Sequence, residues 1–96
     1  MMICDRVVFS GHAVRRMFER RITKEEVLEA LTAGEAIAEY PDDEPYPSVL
    51  LLARVEGRVL HVVAAEDAGS HTCYIVTVYL PDPDLWTPDF RTRRTR

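Results

Sequence analysis

Two apolar segments separated by only two residues constrain the fold of this 96-residue chain more than any other feature. "SVLLLARV" (48–55) and "RVLHVVAA" (58–65) flank Glu56-Gly57, a pair that is typical of a tight β-hairpin turn. A two-residue turn here sets the cross-strand pairs, which are Val55 with Arg58, Ala53 with Leu60, and Leu51 with Val62. The centre of the chain is therefore predicted to be an antiparallel sheet.

Alternation along these strands assigns the side chains to two faces. The apolar face, which is expected to pack against helices, contains Val49, Leu51, Ala53, Val55, Leu60, Val62 and Ala64, continued by Tyr74, Val76 and Val78. The second face contains Arg54 and His61 among exposed apolar residues. If residues 66 and 72 pair in the last hairpin, His61 lies opposite Thr77 and Val59 lies opposite Tyr79. Tyr79 then joins Arg54 and His61 on the second face.

Two amphipathic helices are predicted ahead of the sheet. Ser10 can cap the first, whose apolar stripe is formed by Ala13, Val14, Met17 and Phe18. Thr23 and Glu26 form a capping box at the start of the second, which ends at Gly34 in a left-handed conformation.

Four strands follow the helices, at residues 36–40, 48–55, 58–65 and 72–80. We therefore predict an α+β fold in which two N-terminal helices pack on one face of a four-stranded antiparallel sheet. A single domain is expected over residues 1–96, with its core at 9–80 and an irregular C-terminal arm with a basic tail at 81–96. Leu85, Trp86 and Phe90 are the residues expected to pin this arm, which is a candidate cover for the apolar part of the second face.

Composition and charge narrow the function classes. The chain is 47% hydrophobic with a net charge of −4, which is ordinary for a folded domain and counts against a generic nucleic-acid binder. The charges are nevertheless segregated: four arginines lie between residues 15 and 21 and four more in "FRTRRTR", whereas acids gather in "EYPDDEP" and "YLPDPDLWTPD".

The expected location is the cytoplasm, because no apolar run is long enough to span a bilayer and "MMICDRVVFS" does not resemble a signal peptide. Cys4 and Cys73 could form one disulfide, but in that reducing compartment they are expected to be free thiols. No metal site and no cofactor is predicted.

His61, Arg54 and Tyr79 form the first candidate site. Histidine or tyrosine could transfer the protons of RNA cleavage, while arginine could stabilise negative charge on phosphorus. The alternative is structural: His61 is a partly buried strand residue bonded to Thr77, and Arg54 and Tyr79 only border the sheet. Composition alone favours the structural alternative.

His12, Arg16 and Arg20 form the second candidate site, because they recur every four residues along the first helix. They could bind phosphates or belong to the catalytic set. The alternative is that they solvate the helix, with Glu19 and Glu25 nearby to neutralise them.

Four segments together resemble the bacterial domain of unknown function family 4258, from about Phe9 to Arg94. They are "FSGHAVRRMFERRITKEEVLEAL", the turn "EYPDD-PYPS", "GRVLHVV" and "VTVYLPDPDLWTPDFRTRR". The resemblance implies a RelE/ParE-like toxin fold, with helices on one sheet face, RNA cleavage on the other, and an antitoxin that masks the working face. The family signature includes residues that match His12, Arg16, Arg20 and His61, and it commonly has glycine where this chain has Arg21.

We therefore expect the toxin-type domain of a bacterial toxin–antitoxin-like system and a candidate metal-independent endoribonuclease. Catalysis is expected from His61, Arg54, Tyr79 and His12, with Arg16 and Arg20 contacting RNA phosphates. The expected partners are an antitoxin-like protein and RNA or the ribosome; a homodimer is allowed, and no membrane is expected. The alternative function is a non-enzymatic protein-interaction module that uses the exposed sheet face.

Overall fold

The computed structural model describes residues 2–95. Within them the elements are, in chain order, β1 (Arg6–Phe9), α1 (Gly11–Arg20), α2 (Lys24–Ala33), β2 (Glu35–Tyr40), β3 (Ser48–Val55), β4 (Arg58–Asp67) and β5 (Thr72–Tyr79). The strands form one sheet in the order β1-β5-β4-β3-β2. β1 is parallel to β5, and the other neighbouring strands are antiparallel. Of the helices in this part of the chain, none is long and apolar enough to cross a membrane.

The predicted four-stranded antiparallel sheet is wrong, because the sheet has five strands and is mixed; the fold remains α+β. The missed strand is β1, in which Val7 pairs with Cys73 of β5. Its four residues lead directly into α1 without a turn signal. A parallel pairing with a strand at the far end of the domain also needs a long crossover, which here consists of both helices and three strands, and it leaves no local pattern in the sequence.

The missed strand also explains a second error, which concerns the cysteines. Cys4 and Cys73 are joined by a disulfide bond, with their Cα atoms 5.6 Å apart, so the prediction of two free thiols is wrong for this structure. Cys4 lies just before β1, and the pairing of β1 with β5 carries it alongside Cys73.

Both helix starts are as predicted. The Ser10 side chain accepts a hydrogen bond from the Ala13 N–H at 3.0 Å. At the second helix, the Thr23 N–H donates to Glu26 at 2.8 Å and the Glu26 N–H donates to the Thr23 hydroxyl at 3.1 Å. Local side-chain spacing is enough to encode these caps, because each satisfies backbone groups only three residues away.

The helix ends differ from the prediction. Gly34 ends α2 with φ −71°, so its left-handed conformation was wrongly predicted. Glycine is needed there for space, since a Cβ atom would clash with the Ala30 carbonyl oxygen. The left-handed residue is Arg21, which ends α1 with φ 54°. This is the position where the resembling family commonly has glycine, whose missing side chain suits such a conformation.

Arg58 joins the sheet to the turn between the helices. Its guanidinium donates to the carbonyl oxygens of Arg20 and Arg21 at 3.0 Å each and to the Glu26 carboxylate at 2.9 Å. These bonds satisfy carbonyl groups that α1 leaves unpaired at its end. The Thr23 N–H and the Arg58 guanidinium together lower the pKa of Glu26, although burial opposes them, so the carboxylate stays charged at neutral pH.

The β3–β4 hairpin confirms the predicted register, from Val55 opposite Arg58 to Leu51 opposite Val62. Glu56 and Gly57 both have positive φ, 52° and 77°, which is the geometry of the turn expected for a two-residue hairpin loop.

The β4–β5 register is one residue away from the predicted one at the turn, since residue 66 pairs with Cys73. A bulge follows: Ala64 pairs with Ile75, whereas Val63 pairs with Thr77. The extra residue in β5 reverses which side chains face the helices on either side of it. Ile75 is consequently in the core beneath the helices, and Tyr74, predicted for that face, lies on the second face.

Candidate functional site

His61 is the most enclosed of the predicted site residues, with none of its surface exposed. It lies on the second face of the sheet, and the bulge brings Tyr79 directly opposite it instead of Thr77. The Tyr79 hydroxyl is 3.1 Å from Nδ1, and the Phe90 carbonyl oxygen is 2.9 Å from Nε2. The Trp86 ring meets the imidazole edge to face, with centroids 4.4 Å apart.

These partners define the tautomer of His61. A carbonyl oxygen can only accept a hydrogen bond, so Nε2 carries the proton and donates it to Phe90. Nδ1 is then unprotonated and accepts a hydrogen bond from the Tyr79 hydroxyl. Both nitrogens of the neutral imidazole are therefore hydrogen-bonded to groups of the protein.

The C-terminal arm, residues 81–95, supplies the cover over His61. It folds into its own small hairpin, in which the Thr87 N–H donates to the Thr92 carbonyl at 2.9 Å and the Arg94 N–H donates to Leu85 at 2.8 Å. Trp86 is the anchor of the arm, with 7% of its surface exposed. Of the three residues expected to pin the arm, Trp86 is buried, whereas Leu85 and Phe90 are half-buried. We call the assembly of His61, Tyr79, Trp86 and the Phe90 carbonyl the clasp.

Two polar contacts reinforce the clasp. Arg91 forms an ion pair with Glu35 at the edge of the sheet. The Arg93 guanidinium lies over the Trp86 ring, 5.7 Å from its centroid. Both contacts are exposed to solvent, so they stabilise the clasp less than burial of the Trp86 indole does.

Burial lowers the pKa of His61 below its usual value, although the bond to the Phe90 carbonyl opposes this shift. Above pH 6.5 the imidazole is neutral in both the folded and the unfolded chain. Below that pH the unfolded chain takes up a proton that the folded chain resists, so stability falls with acidification, by at most about 1.4 kcal/mol per pH unit.

We therefore expect the melting temperature to fall between pH 7.5 and pH 5.5, and His61→Gln to remove most of that dependence. Thermal unfolding of both proteins across this range is the measurement. His12→Gln, at an exposed position, is the matched control and should keep the dependence. Identical slopes for wild type and His61→Gln would show that His61 does not couple to folding.

Arg54 and Tyr79 stand close to His61 but in different surroundings. Arg54 pairs with Val59 across the hairpin, which makes it a diagonal neighbour of His61 on the same face. It is exposed, whereas Tyr79 is half-buried. Burial raises the pKa of Tyr79, so its hydroxyl remains a hydrogen-bond donor at neutral pH. The structure therefore brings His61 and Tyr79 into contact, with Arg54 at the rim.

His12, Arg16 and Arg20 are all exposed on α1. Arg16 forms an exposed ion pair with Glu19 at 3.3 Å. Ala13 of the same helix packs in the core with Leu60 and Val62, the residues on either side of His61 in the sequence. Because neighbours in a strand point to opposite faces, α1 and His61 are separated by the sheet. The two candidate sites are thus two separate places and do not form one catalytic set.

The apolar stripe predicted for α1 is only partly buried. Ala13 is fully buried and Met17 partly, whereas Val14 and Phe18 are 52% and 86% exposed. Their four-residue spacing places them side by side on the outside of the helix. An amphipathic pattern in the sequence could not distinguish a face that packs on the sheet from one left in solvent.

A pair of tyrosines at the other end of the second face was not predicted from the sequence. Tyr46 stacks on Tyr74, with the rings 5.4 Å apart and nearly parallel. The bulge that moves Tyr74 to this face was the missing information. Among residues 2–95, no three His, Cys, Asp or Glu side chains are grouped so that they could hold a metal ion.

An α+β domain with two helices on one face and a clasped arm on the other is the class of structure that these elements define. The model of the family described as "Domain of unknown function (DUF4258)" matches residues 9–80, and the chain belongs to that family. The matched region ends one residue before the arm begins. No curated protein matches this chain, and no solved structure matches it.

Proposed function

We propose that the chain is the toxin-type domain of a bacterial toxin–antitoxin-like system, of the RelE/ParE-like kind, and an endoribonuclease that holds RNA along α1. The observation that carries the proposal is the exposure of His12, Arg16 and Arg20 on successive turns of that helix. In a chain with net charge −4, such a concentration of positive charge suits a polyanion.

The three side chains have complementary abilities toward RNA. Guanidinium groups bind phosphate oxygens through two parallel hydrogen bonds. An exposed imidazole can take or give the proton of a 2′-hydroxyl or a leaving oxygen. His12 and Arg16 lie one turn apart, with Cβ atoms roughly 6 Å from each other. Both can therefore reach one phosphate and the ribose next to it.

His61 and Tyr79 have a different role in this proposal. Their polar atoms are occupied by each other and by the Phe90 carbonyl, and the imidazole has no exposed surface. We assign them to holding the arm, and we assign proton transfer to His12. Arg54, exposed on the arm side of the sheet, remains a candidate phosphate contact only for RNA that also reaches that face.

The test compares two histidine variants in one assay. Wild type, His12→Ala and His61→Ala are expressed from an inducible promoter, growth is followed, and total RNA is examined for cleavage. The purified proteins are assayed on an RNA oligonucleotide with and without EDTA. We expect growth arrest and cleavage with wild type, and a loss of cleavage on the order of 10² to 10⁴-fold with His12→Ala.

RNA binding separates catalysis from affinity. His12→Ala should bind RNA nearly as well as wild type, whereas Arg16→Gln and Arg20→Gln should weaken binding and reduce its salt dependence by about one unit of slope each. Arg15→Gln, on the same helix, is the matched control. Loss of cleavage in a folded His61→Ala protein, with His12→Ala fully active, would overturn the assignment of roles.

A protein-interaction module is the second candidate function, and Phe18 is the observation in its favour. A phenylalanine that is 86% exposed on a helix, beside Val14, is typical of a surface that another protein covers. The expected partner is an antitoxin-like protein encoded by a neighbouring gene. Normal growth and intact RNA with wild type in the experiment above would favour this function.

The proposal includes a cytoplasmic location, where RNA substrates are found. The thiol pool of that compartment keeps most protein cysteines reduced. The Cys4–Cys73 disulfide is instead typical of an oxidising compartment, and it is the feature of the structure that counts against this location.

A further inference from the structure

We propose that the cavity beside the Tyr46–Tyr74 pair binds a guanidinium group, as carried by the arginine side chain of a basic peptide. The cavity has a volume of about 430 Å³ and is lined by Asp43, Glu44, Tyr46, Ser48, Tyr74 and Val76, among others. It lies on the second face of the sheet, at the opposite end from the clasp. Ala65, in its wall, is four residues along β4 from His61, or about 13 Å.

The aromatic wall gives the cavity its shape. Tyr46 and Tyr74 stack with an interplanar angle of 9°, so each ring keeps one face that the other ring does not cover. Val76 continues the wall and is 43% exposed. Both tyrosines are only half-buried, which leaves ring surface open to the cavity. An open aromatic face carries partial negative charge and attracts cations.

The charged side chains around the two tyrosines are all negative. Asp43 and Glu44 line the cavity, and the negative charge of Asp67 raises the pKa of the Tyr46 hydroxyl. None of the ion pairs formed among residues 2–95 involves these three acids. The Ser48 hydroxyl donates to Asp43 at 2.5 Å and orients its carboxylate. The local negative potential is therefore not neutralised within this part of the chain.

A guanidinium satisfies both features at once. Its flat, weakly hydrated face can lie against a tyrosine ring, while its edge donates two hydrogen bonds to a carboxylate. An ammonium ion can do the second but stacks poorly, so the cavity should prefer arginine to lysine. This site is independent of the proposed RNA surface on α1, since it shares no residue with it.

The experiment uses the full chain labelled with ¹⁵N and follows amide shifts during titration. The probes are N-acetyl-arginine amide, N-acetyl-lysine amide, and a peptide containing several arginines. We expect saturable shifts centred on residues 43–48 and 74–76, with arginine binding more tightly than lysine. Tighter binding of the peptide than of the arginine amide would support a peptide as the occupant, whereas equal binding of the two would overturn it in favour of a free guanidinium ligand.

Variants decide whether the cavity is responsible. Tyr46→Ala should weaken arginine binding on the order of tenfold. Tyr46→Phe should preserve it, because the ring remains. Glu44→Gln, at an exposed position, should weaken it several-fold, and Glu29→Gln on α2 is the matched control. The proposal is overturned if no saturable shift occurs, or if lysine and the Tyr46→Ala protein behave like arginine and wild type. Neither result would bear on RNA cleavage.

Discussion

Trp86→Ala is expected to lower the free energy of unfolding by about 3 to 5 kcal/mol, the range for deleting a large buried aromatic side chain. The indole is 7% exposed and packs perpendicular to the His61 imidazole. Removing it opens a cavity beside the His61 imidazole, which has none of its surface exposed. A domain of this size has a total stability of about 5 to 15 kcal/mol, so the variant should be folded but marginal.

Thermal unfolding followed by circular dichroism measures this effect, and the melting temperature should fall by roughly 15 °C or more. Asp84→Ala, an exposed change in the same arm, is the control and should leave the melting temperature within a degree or two. A second readout uses wild type and His61→Ala: Trp86 is the sole tryptophan, so its emission reports directly on the clasp. Emission that shifts to the red in His61→Ala would indicate a released arm. An unchanged melting temperature in Trp86→Ala would mean that the arm does not rest on the sheet.

The clasp also shows where sequence-based prediction stops. The hairpin placed His61 on the second face, and the composition of the tail suggested a cover. Neither pattern could identify the partners of the imidazole. The Phe90 carbonyl belongs to the backbone, which has no sequence signature, and the pairing with Tyr79 depends on a bulge in β5. A histidine in an apolar strand can therefore be catalytic or purely structural. The hydrogen-bond partners of its two ring nitrogens decide between these roles, and the sequence does not identify them.

Local features were predictable because their causes are local. Ser10, Thr23 and Glu26 cap helices through groups three residues away, and Glu56-Gly57 adopts the positive φ angles that its turn requires. These interactions are complete within a few residues, so the spacing of side-chain types is sufficient to encode them. The correct register of β3 and β4 follows from the turn alone.

Long-range features were missed because they depend on residues that are far apart in the sequence. β1 forms because it pairs with β5, which follows both helices and the other strands in the sequence. Its four residues are too few to establish a strand by pattern, and the bulge at Val76 changes the face of every residue on one side of it. The exposed pair on α1, Val14 and Phe18, has the same origin: the orientation of the helix on the sheet selects Ala13 and leaves these two outside.

Reduction of the Cys4–Cys73 disulfide is expected to lower the free energy of unfolding by about 4 kcal/mol, the loop-entropy value for a bond that closes most of the chain. The two cysteines are separated by 69 positions, and Cys73 is fully buried in β5. The bond anchors the segment before β1 to the strand beside it. Without it, the unfolded chain gains the freedom of that long loop, and the short edge strand is held only by its pairing with β5.

Urea unfolding with and without a reducing agent measures this difference, and the double variant Cys4→Ser/Cys73→Ser isolates the bond. Wild type should lose stability on reduction, whereas the double variant should give the same midpoint in both buffers. Counting reactive thiols in the unfolded, oxidised protein is an independent check: none are expected when the bond is present. Two thiols per chain, with a midpoint that ignores the reducing agent, would show that the bond does not form. That result would agree with the cytoplasmic location in the proposed function, and it would leave the β1–β5 pairing to backbone hydrogen bonds alone.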